Sequence, residues 1–153
     1  GHEWRYDESL EWSLLKYIQH EGVRESVRDV AKLYLSDAEL AENDFNSIGF
    51  EWINADDGDN SVFSFLRFTS DGKRCYATVS NFTPVEQRAY RLGLPCGGVW
   101  KEVLNTDAKT YGGGGRGNMG KVEAVAEKAA NRRPFGCDMV VPPLSTVVLL
   151  GYL

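Results

Sequence analysis

Apolar residues recur along this chain in two rhythms. From Val23 the positions Val23, Val27, Val30 and Tyr34 repeat at helical spacing, with Leu33 beside them, while Arg24, Glu25, Arg28, Asp29 and Lys32 occupy the other faces. That pattern predicts an amphipathic helix of three or more turns. Upstream, Trp12-Ser13-Leu14-Leu15-Lys16-Tyr17-Ile18 predicts a shorter helical stretch. Ser36-Asp37-Ala38-Glu39-Leu40, with a polar residue where a cap belongs, predicts one more turn. After Asn43 the rhythm shortens. Runs rich in Phe, Val, Tyr and Thr predict strands near Phe50–Ala55, Ser61–Phe68, Cys75–Asn81, Tyr90–Leu94, Val99–Leu104, Asp138–Val141 and Thr146–Tyr152. Turn signals separate them: Asp57-Gly58-Asp59-Asn60, Ser70-Asp71-Gly72, Pro95-Cys96-Gly97-Gly98 and Pro142-Pro143. Many short strands with no helices between them predict an antiparallel sandwich or barrel and disfavour a parallel α/β sheet.

The segment Lys121–Arg133 pulls two ways. Ala124, Ala126, Ala129 and Ala130, with Glu123, Glu127 and Lys128, are good helix formers, and local propensity predicts a helix. A β-domain would want a strand there, ahead of the final hairpin.

Just before it stands a glycine run, Gly112-Gly113-Gly114-Gly115-Arg116-Gly117-Asn118-Met119-Gly120-Lys121. Gly115, Gly117 and Gly120 satisfy G-x-G-x-x-G, and such glycines let backbone approach a phosphate at a helix N-terminus. Two features oppose a nucleotide site. Val122 stands where a P-loop needs a hydroxyl for magnesium, and the preceding Thr106–Thr110 is polar rather than a buried strand. A surface loop is the favoured reading.

Composition narrows the function classes. The chain has 153 residues and a net charge of -5, with 42% hydrophobic and 25% charged residues, as ordinary globular domains do. The acidic balance argues against a nucleic-acid surface, the one dense basic pair being Arg132-Arg133. No apolar run reaches the ~20 residues of a membrane span, and Gly1-His2-Glu3-Trp4 does not open a secretory leader, so a cytoplasmic location is expected. Cys75, Cys96 and Cys137 are odd in number and far apart. With His2 and His20 as the two histidines, no metal site is expected, and the cysteines read as reduced, mostly buried thiols. Asp56, Asp57 and Asp59 read as a turn rather than an acid–base pair or a calcium loop. No cofactor is expected.

Trp4, Tyr6 and Trp12 crowd into a short polar stretch, where flat rings can stack on sugar. Further residues carry a family resemblance. Glu3-Trp4-Arg5-Tyr6-Asp7-Glu8-Ser9-Leu10-Glu11-Trp12 resembles the E-W-N-H-D-x-S-L-D-W segment of bacterial 1,4-α-glucan (glycogen) branching enzymes, in the α-amylase superfamily, with Arg5-Tyr6 where the family has Asn-His. Val27–Tyr34 is similar to the helix that follows. Gly49–Ile53, Asn60–Arg67, Asn81-Phe82-Thr83-Pro84, Leu104-Asn105-Thr106-Asp107 and the glycine loop (Y-G-G-x-G-x-G-N-x-G) match in the same order.

The resemblance implies a domain division. Gly1–Glu42 would be the tail of a catalytic (β/α)8 barrel, its last loop and helix, and Gly49–Leu153 the C-terminal all-β sandwich. It implies that the acid–base and nucleophilic carboxylates lie on the barrel upstream, so no catalytic residue is expected here. The expected partners are glucan, through the longer enzyme, and that enzyme's barrel and N-terminal domains. An apolar helix face made for the barrel would leave the isolated chain prone to self-association. Trp4, Tyr6 and Tyr111 are the candidate glucan contacts. Two other readings stay open: a stand-alone carbohydrate-binding module, with Trp100 and Tyr111 as stacking candidates although Trp100, in a predicted strand, reads better as core, and a nucleotide-binding protein built on the glycine loop.

Overall fold

The structure, a computed structural model, describes residues 5–153. A 3-10 turn over Trp12–Lys16 leads into helix α1 (Ile18–Leu35) and the short helix α2 (Ala38–Glu42). α1 starts a turn upstream of the apolar repeat. Nothing between Ile18 and Gly22 breaks it, and Glu21 in its first turn complements the helix dipole while pairing with Arg24. Asp37 is the N-cap of α2, its carboxylate accepting from Leu40 N at 3.3 Å. Ser36-Asp37 therefore works as the sequence predicted.

Eight strands follow: β1 (Phe50–Asp57), β2 (Val62–Phe68), β3 (Arg74–Asn81), β4 (Gln87–Leu94), β5 (Gly98–Asn105), β6 (Lys121–Ala124), β7 (Phe135–Val141) and β8 (Ser145–Tyr152). All pairings are antiparallel. Six strands form one sheet in the order β1-β2-β3-β8-β5-β6, and β4 pairs with β7 in a second. The long central pairing runs unbroken from Arg74↔Tyr152 to Asn81↔Ser145.

The period-two pattern explains how the sheets face each other. Along β2, Val62, Ser64 and Leu66 point inward while Phe63 and Phe65 point outward. From the large sheet Ile53, Leu66, Val79, Trp100 and Leu149 meet Leu92, Leu94, Met139 and Val141 of the small one. Each fully buried aliphatic chain adds on the order of 1.5–3 kcal/mol. Trp100 is wholly buried over Gly151, its indole N–H donating to the Cys96 carbonyl at 3.2 Å.

A second cluster lies on the outer face of the large sheet, where Leu40 packs with Tyr76, Leu104 and Val148, and Leu33 and Tyr111 border them. A buried polar joint sits alongside. Asp37 accepts the Tyr76 hydroxyl at 2.6 Å and pairs with Arg74 at 3.1 Å. The helical segment is thus bonded to β3 as well as packed on it.

The helix expected over Lys121–Arg133 is absent. β6 occupies its start, pairing Trp100↔Val122 and Gly98↔Ala124, and a 3-10 turn covers Ala126–Lys128. Asn131 and Arg132, both left-handed at φ 50° and 61°, then make a two-residue turn inside the Ala130↔Arg133 bridge. Alanine's edge over a β-branched residue is about 0.5 kcal/mol per position. Here it yields to burial of Val122 and Ala124 and to ladder hydrogen bonds with β5.

Candidate functional site

The glycine loop joins β5 to β6, and Asp107 organises it from within. Gly114 N–H donates to Asp107 Oδ1 at 2.8 Å, Arg116 N–H to Oδ2 at 2.9 Å, and Gly115 N–H to the Asp107 carbonyl at 2.7 Å. Gly112 and Gly115 supply the left-handed φ values, 82° and 77°, that the winding needs. Asn118 fastens the end of the loop: its side chain bonds Glu102 and the Val140 carbonyl, and receives Val140 N–H at 2.7 Å. The Gly114 and Arg116 amides are already donated to the Asp107 carboxylate and the Gly115 amide to its carbonyl, and a strand follows instead of a helix. The loop therefore lacks the two features that make a nucleotide cradle.

The loop's other job is to receive α1. Tyr111 ends a 3-10 turn (Lys109–Tyr111) against the helix, and its hydroxyl donates to Asp29 Oδ2 at 2.8 Å. That bond is the leading cause of the lowered Asp29 pKa, whereas the Tyr111 pKa is raised first by burial and then by Asp29. Gly22 lies under the Tyr111 carbonyl, so close that a Cβ there would collide with it. α1 consequently meets the sandwich along Gly22, Asp29 and Leu33, while Val23 and Val27 stand 64% and 63% exposed and Val30 and Tyr34 are also open.

The sequence-predicted aromatics separate. Tyr6 is 89% exposed. Trp4 lies outside the described residues. Tyr111 is half-buried in the seam just described, on a different element from Tyr6. Trp100, the stacking residue of the binding-module reading, has no exposed surface and serves the core. The three thiols are of the expected kind. Cys75 and Cys137 are buried and Cys96 half-buried; burial raises all three pKa values, that of Cys137 to about 12.

A row of rings on the outer face of β1 and β2 was not singled out from the sequence. Phe50 meets Trp52 edge-on at 5.1 Å and Phe65 at 5.4 Å, Trp52 reaches Phe63 and Phe65, and Phe63 meets Phe82 at 5.3 Å. The signal was there, since Phe50/Trp52 and Phe63/Phe65 each alternate at period two, opposite the inward set. The row joins the bare stripe of α1 through Tyr34, Asp44 and Arg67: Asp44 accepts from both neighbours, and Arg67 is the register partner of Phe50.

Two antiparallel sheets packed on a shared apolar core, with short helices across one outer face, define an all-β sandwich domain. Residues 52–151 match the family described as alpha amylase, C-terminal all-beta domain, and the chain belongs to that family. Over 147 residues, 96% of this chain, it is 48% identical to the 1,4-alpha-glucan branching enzyme GlgB of Roseobacter denitrificans, 44% to that of Aquifex aeolicus and 48% to that of Rhizobium meliloti. It spans 20%, 23% and 19% of those relatives, about a fifth of their length.

Proposed function

We propose that this chain is the non-catalytic C-terminal portion of a 1,4-α-glucan branching enzyme. The longer protein would cleave an α-1,4-glucan, hold the segment as a covalent glycosyl enzyme and pass it to a sugar 6-hydroxyl, the retaining chemistry of two carboxylates. The observation that carries the reading is the reach of the similarity. The family match covers residues 52–151, yet identity of 41–48% to branching enzymes extends over 147 residues and so through the helical segment. A sandwich shared with amylases at large would not need that segment; a branching enzyme's C-terminal portion would.

On this reading residues 1–42 are the tail of the catalytic barrel and 49–153 the sandwich that supports it. The exposed stripe of α1 then faces the barrel, because a helix that turns four apolar side chains to water is packed by something else. Trp4 and Tyr6 would line the glucan groove near the barrel's catalytic face. Tyr111, with its hydroxyl held by Asp29, would hold α1 in place as well as offer a ring edge. Glucan is the substrate class, the cytoplasm the location, and the isolated chain self-associates through its bare face. Among the described residues no helix is long and apolar enough to cross a membrane.

A chimera tests the reading. This chain replaces the matching stretch of the Roseobacter denitrificans enzyme, and branching of amylose is followed by the iodine-complex spectrum. Activity within a few-fold of the unaltered enzyme is expected, and none from the 153 residues alone. A folded but inactive chimera, or turnover by the isolated chain, overturns it.

A further inference from the structure

The side of α1 that the sandwich covers is not its apolar one. The shielded positions are Gly22, Glu25, Ser26, Asp29 and Leu33, spaced three or four apart and so on one side of the helix, while Val23, Val27, Val30 and Tyr34 face out. An apolar stripe decides which way a helix turns but not its height. The stripe repeats every turn, so sliding α1 by about 5.4 Å along its axis lays one valine where another stood. A discrete contact has to choose among those heights.

Tyr111 makes that choice. Of the elements in the sandwich, its 3-10 turn meets α1 most extensively, and the residue touches the helix at two levels. Its carbonyl fills the space that a Cβ on Gly22 would need, and its hydroxyl donates to Asp29 Oδ2 at 2.8 Å. Gly22 and Asp29 lie about 10 Å apart along the axis, so one residue spans two turns. Slipped by one turn either way, α1 presents Ser26 with Leu33, or Ile18 with Glu25, at the same two levels. Either pair sets a Cβ against the carbonyl, since α1 holds no other glycine, and the first also removes the acceptor. Tyr111 is itself fixed. Its N–H donates to the Ala108 carbonyl at 3.0 Å, and the loop beyond it is wound on Asp107.

We infer that Tyr111 is a positioning residue: it sets the height of α1 and, through α1, that of residues 5–16. The link is made by the backbone. Tyr17 N–H donates to the Leu14 carbonyl at 2.9 Å and Glu21 N–H to the Tyr17 carbonyl at 3.1 Å, which joins the Trp12–Lys16 turn to the helix. On the branching-enzyme reading, on which the consequence for substrate rests, residues 5–16 follow the barrel's last strand at the catalytic face. The clamp then holds Tyr6 level with the glucan, and Tyr111 acts without touching it.

Cutting the hydroxyl bond from each end tests the clamp. Tyr111→Phe and Asp29→Ala are made singly and together in the chimera described above, alongside Asp29→Asn, which keeps an acceptor oxygen. The KM for amylose is expected to rise about three- to tenfold in each single variant and no further in the double, with kcat within about twofold and Asp29→Asn close to the unaltered chimera. In the 153-residue chain, Tyr111→Phe is expected to speed amide exchange through residues 18–29 about tenfold and to leave the strands unchanged. Additive KM effects would mean that Tyr111 meets glucan itself, and a fall in kcat at unchanged KM would be a merely structural loss. Either result overturns the positioning role, and so does unchanged exchange in α1. Faster exchange together with an inactive unaltered chimera removes the branching-enzyme reading and leaves the clamp; unchanged exchange and KM in an active chimera remove the clamp alone.

Discussion

Gly22 shows how a single missing Cβ sets the position of a helix. In the middle of an exposed helix, Gly→Ala is worth about 1 kcal/mol of added stability. Here the Tyr111 carbonyl occupies the space a methyl group would need. Overpacking against rigid backbone costs on the order of 1–3 kcal/mol. Gly22→Ala is therefore expected to lower the urea midpoint although it improves helix propensity; a raised midpoint would mean that α1 does not sit where the structure places it. Asp37 is the complementary case, legible from sequence only in part. Its role as a cap follows from Ser36-Asp37 standing before Ala38-Glu39-Leu40. Its bond to the Tyr76 hydroxyl, 39 residues on, does not.

Strand pairs place charges that no local motif reveals. Arg91 of β4 and Asp138 of β7 are register partners, their side chains meet at 2.5 Å, and Lys128 reaches the same carboxylate at 3.0 Å. The Arg91 hydrogen bond first, and the Lys128 one next, hold the Asp138 carboxyl at about 2. A depressed carboxyl stabilises the fold at all pH values above its unfolded value of about 3.9, and that contribution is lost as the pH falls from there towards 2. The native chain is expected to lose melting temperature more steeply between pH 4 and 2 than Asp138→Asn does. Parallel curves by circular dichroism would count against the pair. Lys121–Arg133 carries the same lesson for backbone. Its residues are locally content as a helix, and what decides for a strand is the partner β5, which no window around Ala126 contains.

At the scale of the whole molecule, the amphipathic helix is packed the reverse way round. Its apolar stripe looks outward and continues through Tyr34 and Arg67 into the Phe50–Trp52–Phe63–Phe82 row, and contiguous exposed apolar residues of this kind ordinarily mark an interaction surface. Sedimentation equilibrium of the isolated chain is expected to give a mass that rises with concentration above 17.1 kDa. Val23→Lys with Val27→Glu should return it to monomer with an unchanged circular dichroism spectrum. A wild-type monomer at every concentration would remove the inference.

The sequence by itself determined most of the elements: the helix through Val23–Tyr34, the cap at Asp37, seven of the eight strands within a few residues of those observed, β6 excepted, and turns at their glycines and prolines. It did so because side-chain period and turn chemistry are local properties, and the family resemblance rested on the same short stretches. Tertiary structure alone decided which side of α1 is covered, that Tyr111 serves a helix seam, and that Lys121–Ala124 pairs as a strand with β5. Each of those depends on contacts between segments tens of residues apart, and such contacts have no period along the chain to be read.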